Sequence, residues 1–195
     1  MKQKTVLVVG LGNPDEKYQN TFHNVGFGAV NRLAKKLGAD FDKGECRALT
    51  AHVKKDGVKV IIAKPITYMN LSGESVRELV NKYKIEQQNC IIVYDDADLP
   101  VGKLRIRKEG SGGSHNGMLN VIANVGTQNV YRLRIGISRP ALPDMALMDY
   151  VLSKIPSETQ QILDKAYDLA ADALTEFCFG TDIDKVMMDF NGKQA

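Results

Sequence analysis

The feature that most constrains the fold is a pair of unbroken apolar runs, Val6 to Leu11 and the start of "CIIVYDD" at Cys90. A strand that is apolar at every position has both faces buried, which requires helices above and below its sheet. The intervening stretches supply them. Phe22, Val25, Ala29, Val30, Leu33 and Leu37 recur at helical spacing up to Gly38, and "SGESVRELVNKYK" is predicted to start on a Ser72 cap and to carry Val76, Leu79, Val80 and Tyr83 on one side. "CRALTAHV" and "VKVIIAK" flank an Asp56-Gly57 turn, which predicts a hairpin whose second strand ends at Pro65. "KLRIRK" puts Lys103, Arg105 and Arg107 on one face, and "YRLRIGIS" does the same with Arg132 and Arg134. Between these two strands a glycine loop leads into a short helix, and helices follow around 144–152, 157–179 and 182–190. Strands alternating with helices predict an α/β fold, a single-domain three-layer sandwich with a mixed, mostly parallel twisted sheet flanked by helices. The domain spans 1–195, with 140–195 as a helical tail.

Gly10 and Gly12 after the first strand have the spacing of a dinucleotide-binding loop, but Asp15 occupies the place of the third glycine. Pro14 removes a helix N–H that a pyrophosphate would need, and Asp15 and Glu16 repel phosphate. Asn13, Tyr18 and His23 in the same stretch need a different explanation.

With 195 residues and 44% hydrophobic composition the chain can bury a sizeable core. No apolar stretch approaches the roughly 20 residues that cross a bilayer, and the opening run ends at Asn13-Pro14-Asp15 without a small-residue cleavage site. The expectation is a cytoplasmic protein with no membrane partner. Cys46, Cys90 and Cys178 lie far apart in no C-x-x-C pairing, and His23, His52 and His115 have no metal-ligand spacing. Neither a metal nor a cofactor is expected. Between Val101 and Arg139 seven basic residues face one acid, Glu109, whereas ten acids face four lysines beyond Pro140. The basic segment is a candidate phosphate-binding surface.

Ligand crevices in such sheets lie at the carboxyl ends of the strands. Asn13, Asn70 and Asp95 follow or end predicted strands. A carboxylate such as Asp95 can accept a proton from one imidazole nitrogen of His23 and leave the other as a base. There is no G-x-S-x-G elbow and no cysteine in these loops, so the pair would activate water. Asn13, Asn70 and Asn116 offer neutral donors for a carbonyl or a developing oxyanion. Asp96 and Asp98 read as a solvated turn before Pro100, or a weak cation site.

"VVGLGNPDEKYQNTFHNVG", "ITYMNLSG", "DDADLPVGKLRIRKEGSGGSHNG" and "YRLRIGISRP" resemble, in order and spacing, the bacterial-type peptidyl-tRNA hydrolases, and the resemblance covers nearly the whole chain. It implies an esterase that splits peptidyl-tRNA into peptide and tRNA without a cofactor, as a monomer. It implies His23 as general base, Asp95 as its orienting carboxylate, Asn13 as the contact that separates N-blocked from free aminoacyl-tRNA, and Asn70 as a stabiliser of the tetrahedral intermediate. Tyr18, Tyr68, Met69, Asn70, Gly113, His115 and Asn116 would hold the terminal adenosine and the adjoining peptide. Arg107 and Arg134 would clamp a phosphate of the tRNA end, and residues 144–152 would flank the cleft. His115 would either touch substrate or fix its loop. Ser114 stands where the family commonly has a second glycine, and Tyr68 where phenylalanine is frequent. The alternative reading is a non-catalytic protein that binds RNA 3′ ends; a nucleotide-dependent oxidoreductase is a third.

Overall fold

The computed structural model describes residues 4–141 and 144–195; Leu142 and Pro143, within the expected helical tail, lie outside the described residues. Among the described residues seven strands form one sheet: β1 (Lys4–Gly10), β2 (Lys43–Glu45), β3 (Ala48–Lys55), β4 (Val58–Pro65), β5 (Cys90–Asp96), β6 (Leu104–Arg107) and β7 (Tyr131–Gly136). Their order is β2-β3-β4-β1-β5-β7-β6. The four central strands run parallel, and β2, β3 and β6 join antiparallel at the two flanks. The α-helices of the described residues are α1 (Val25–Lys36), α2 (Ser72–Tyr83), α3 (Asn116–Val125), α4 (Leu147–Val151), α5 (Ser157–Cys178) and α6 (Ile183–Phe190).

The apolar runs are buried on both faces, as their composition requires. Val6, Val8, Ile91 and Val93 pack into a core shared with α1, α5 and α6, while Leu7, Val9, Ile92 and Tyr94 pack into a second core under α2 and α3. Truncating a fully buried leucine such as Leu7 to alanine is expected to cost about 2–5 kcal/mol. The opening glycines serve this packing. A Cβ on Gly10 would lie 2.4 Å from the carbonyl oxygen of Gly26, and one on Gly26 would lie 2.5 Å from that of Leu11, so the start of α1 rests directly on the strand ends.

The turn between β3 and β4 has left-handed conformations at Asp56 and Gly57, with φ of 51° and 76°, as a tight hairpin demands. Two local expectations are corrected. Ser72 is the first residue of α2 and not its cap: a 3₁₀ turn, Met69–Leu71, precedes it, and the Ser72 hydroxyl donates back to the Met69 carbonyl at 2.9 Å. Strand β2, with the sequence Lys-Gly-Glu, carries no apolar signal and was not expected; it is held by its ladder to β3.

The tail divides by role. Helix α5 lies along α1, where Arg32 pairs with Asp168 and Lys36 with Asp172, and it belongs to the core. Only α4 reaches the strand-end cleft, fixed by Tyr150, whose ring stacks on Phe22 at 4.5 Å and whose hydroxyl donates to the Ile137 carbonyl at 2.6 Å. Residues 191–195 run beside β6: Leu104 N–H donates to the Lys193 carbonyl at 3.1 Å, and Ile106 N–H to Asn191 Oδ1 at 2.6 Å.

Candidate active site

A cleft of about 690 Å³ opens at the carboxyl ends of β1, β4 and β5. Its walls include Asn13, Tyr18, His23, Tyr68, Met69 and Asn70. Asp95, Gly113, His115, Asn116 and Arg134 complete the expected set within it, and Leu147, Met148, Val151 and Leu152 on and beside α4 form its apolar side. Of the residues that the family resemblance assigns to catalysis or substrate binding, Arg107 alone is not among these walls. It sits half-buried on β6 with Nη1 donating to its neighbour's carbonyl, Ile106, at 3.2 Å.

Asp95 is the centre of the arrangement. It is the penultimate residue of β5, with its side chain 4% exposed, and its Oδ1 lies 2.9 Å from His23 Nδ1 and 2.9 Å from His115 Nε2. Its Oδ2 lies 3.1 Å from His23 Nδ1. Burial opposes ionisation of this carboxyl, but the imidazole groups of His115 and His23 outweigh it and hold it well below the usual carboxylate range. An ionised Asp95 accepts from both rings, so each must present an N–H to it. For His115 the other nitrogen is accounted for: Nδ1 accepts the backbone N–H of Met118 at 3.1 Å, capping α3. His115 is thereby fixed as the Nε2–H tautomer. His23 carries its proton on Nδ1, leaving Nε2 with a lone pair and no partner among the described residues.

His23, Asp95 and His115 bring three potential metal-ligand atoms within 4.8 Å of one another. Their hydrogen bonds oppose a cation. Coordination through His115 Nε2 would move its proton to Nδ1, against the N–H of Met118, and would break the contacts that ionise Asp95.

The strand-end loops are pinned by side chains. Asn13 Oδ1 accepts the Met69 N–H at 2.9 Å. Asn24 grips the main chain of Asn13 on both sides, its Oδ1 accepting from Asn13 N and its Nδ2 donating to the Asn13 carbonyl, each at 2.9 Å. Together with Ser72, these bonds hold the Met69–Leu71 turn so that exposed Asn70 faces the cleft. Tyr68 donates to Asp15 Oδ2 at 2.8 Å across the rim. Asn116 opens α3 and is not at a strand end.

The basic strands adjoin as expected, with Arg105 opposite Arg134 and Arg107 opposite Arg132. Arg132 nevertheless leaves the phosphate surface: it is 2% exposed, and its guanidinium donates to the carbonyls of Gly110, Ser111, Gln128 and Val130. The glycine loop folds over it and uses it as an anchor. Arg134 remains in the cleft, paired with Asp96 at 2.8 Å, so Asp96 is more than a solvated turn. Asp98 lies in an exposed turn, as expected, where it meets the exposed Arg139 at 2.7 Å. Asn24, Asp96 and the dual role of His115 escaped the sequence reading. Asn24's position next to His23 was the one available signal.

Fold and site together define a class: an α/β enzyme whose strand-end cleft carries a carboxylate-oriented imidazole. Comparison with known proteins narrows it. A family model described as peptidyl-tRNA hydrolase matches residues 7–195. The chain is 45% identical over 185 residues to a peptidyl-tRNA hydrolase of Bacillus cytotoxicus, covering 95% of this chain and 98% of that one. It is 44% identical to one from Carboxydothermus hydrogenoformans, with 95% and 97% covered. The crystal structure of peptidyl-tRNA hydrolase from Acinetobacter baumannii superposes with a TM-score of 0.90 at 31% identity, over 100% of this chain and 98% of that one. The chain belongs to the peptidyl-tRNA hydrolase family.

Proposed function

We propose that the cleft hydrolyses the ester joining a peptide to the terminal ribose of tRNA, with His23 as general base. The observation that carries this reading is the orientation of His23: its Nδ1 is held by the ionised Asp95, which leaves Nε2 for the cleft that the ring lines. There it takes a proton from water as the oxygen attacks the ester carbonyl. Asp95 stabilises the imidazolium that results, and the imidazolium returns the proton to the departing ribose oxygen.

Asn70 and Asn116 are exposed within the cleft, where their amides can donate to the oxyanion. Asn13 spends its oxygen on Met69, which leaves its NH₂ group for substrate. A neutral donor there suits the amide of a blocked residue and repels the ammonium of a free aminoacyl group. Tyr18 and Tyr68 offer faces for the terminal adenine, with Met69 and Gly113 shaping the crevice, and Arg134 takes a phosphate in exchange for Asp96. Arg107, outside the cleft walls, suits a phosphate farther along the tRNA end. His115 is assigned to positioning: it holds Asp95 and its own loop and has no nitrogen left for substrate.

The cleft is complete within one chain and the cysteines are unpaired, which supports a monomer acting in the cytoplasm. Among the described residues no helix is long and apolar enough to cross a membrane. Binding an RNA end would need neither an oriented base nor a buried carboxylate, which sets the enzyme above the RNA-binding alternative.

The test is release of N-acetyl amino acid from N-acetyl-aminoacyl-tRNA, run beside unblocked aminoacyl-tRNA and a His23→Ala variant, with chelator present. Hydrolysis of the blocked substrate alone, lost in the variant, is expected. Tight tRNA binding without turnover would overturn the proposed function in favour of RNA-end binding.

A further inference from the structure

A second cavity of about 370 Å³ adjoins the catalytic cleft, and Asn13 lines both. Its polar lining is unusual in kind. Six residues with carboxamide side chains line it, Asn13, Gln19, Asn20, Asn24, Asn31 and Gln160, with no aspartate or glutamate among its described lining residues; of these, Asn24 spends its amide on the main chain of Asn13. Lys64 is its one charged group. The ammonium has no carboxylate partner among the described residues; it donates to Asn31 Oδ1 at 2.8 Å and stands 4.0 Å from the centre of the Phe41 ring. Burial lowers its proton affinity, as for a cation not yet compensated by an anion. Leu49 and Ile66, 39% and 47% exposed, add apolar surface.

We propose that this cavity is a subsite for the part of the peptide remote from the ester, and that Lys64 there selects an acidic side chain. This rests on the peptidyl-tRNA hydrolase reading. A peptide whose ester-bearing residue lies against Asn13 in the catalytic cleft brings its next residues to the other side of Asn13. Carboxamides both donate and accept, so the amide groups not already engaged within the protein can pair with the N–H and C=O groups of an extended main chain whatever its sequence. One cation amid neutral amides suits a single carboxylate. An RNA backbone would call for several cations, and the second cavity offers one.

The experiment compares three substrates: N-acetyl-aminoacyl-tRNA, and N-acetyl-tetrapeptidyl-tRNA carrying either Asp or Lys at the third residue from the ester. Wild-type protein is expected to favour the Asp tetrapeptide over the Lys one by about threefold or more in kcat/KM, the scale of a partly exposed ion pair. Lys64→Met should level the two and Lys64→Glu reverse their order, each leaving N-acetyl-aminoacyl-tRNA unchanged. A second variant, Ile66→Trp, crowds the subsite from an exposed position and should slow both tetrapeptides alone. An Asp-to-Lys ratio that is the same in wild type and Lys64→Glu would overturn the subsite. Failure of the wild type to hydrolyse even the N-acetyl-aminoacyl substrate would instead overturn the function on which it rests.

Discussion

Asn13 and Met69, 56 residues apart, are joined by a 2.9 Å hydrogen bond from the Met69 backbone N–H to the Asn13 side-chain oxygen. The bond fixes which end of the carboxamide is left for the cleft. Asn13→Asp keeps the acceptor for Met69 and replaces the amino group by an anionic oxygen, which attracts the ammonium of free aminoacyl-tRNA. The ratio of kcat/KM for blocked over free substrate should fall by about tenfold, with thermal stability nearly unchanged. An unaltered ratio would place the discrimination elsewhere.

His115 can be divided into its two tasks. His115→Asn retains a good helix cap for α3 but is too short to reach Asp95. kcat should fall by roughly tenfold, a fraction of the 10²–10⁴ that general base catalysis supplies, while KM stays within about twofold. Without the second donor the Asp95 carboxylate is held by His23 alone and is freer to turn, so the loss falls on the orientation of His23 and hence on kcat. A raised KM with an unchanged kcat would mark His115 as a substrate contact.

Arg132 and Arg134 lie two residues apart on the same face of β7 but should fail differently. Arg132→Met leaves four carbonyls without their donor and should cost about 3 kcal/mol of unfolding free energy by urea titration. Arg134→Ala should cost little stability and weaken tRNA substrates. Its readout is a shallower dependence of log Kd on log salt, by about one phosphate contact.

Much of the architecture was legible because burial on both faces leaves a plain signature, an apolar residue at every position of β1 from Val6 onward and at most positions of β5. His23 and Asp95 were legible as a pair because strand ends are where such sheets gather ligands. Alternation on β7 could not separate Arg132 from Arg134: it gives the face of a strand, not what the glycine loop does above that face. The tie between His115 and Asp95 spans 20 residues and depends on the start of α3 folding back over β5, a placement that no local pattern encodes. Strand β2 lacked a signal for the opposite reason, since its stabilising residue is a carboxylate.

That carboxylate, Glu45, is 4% exposed at the sheet's far flank. Burial opposes its charge, but hydrogen bonds from Lys82, Tyr83, Thr50 and His52 hold its pKa below the usual range. A depressed carboxylate stabilises the fold above the pH where the unfolded chain titrates, about 4.3 for glutamate, and that contribution disappears as acid protonates it. Glu45→Gln should therefore lose about 2 kcal/mol at pH 7 and show a smaller fall in stability between pH 7 and pH 3 than the wild type. Equal losses at both pH values, read from urea midpoints, would contradict this account.

The strip at 191–195 has a bearing on how the molecule is made. β6 borders the sheet, and the groups that satisfy Ile106 come from Asn191, 85 residues later. At the roughly 5–20 residues per second of translation, that strand waits about 4–17 s for its cover. An open, flat, apolar edge invites pairing with other chains, whereas charged side chains along it discourage that. Lys103, Arg105 and Arg107 stand along this border throughout the interval. The basic border thus discourages edge-to-edge pairing of the nascent chain while the cover is still to be made.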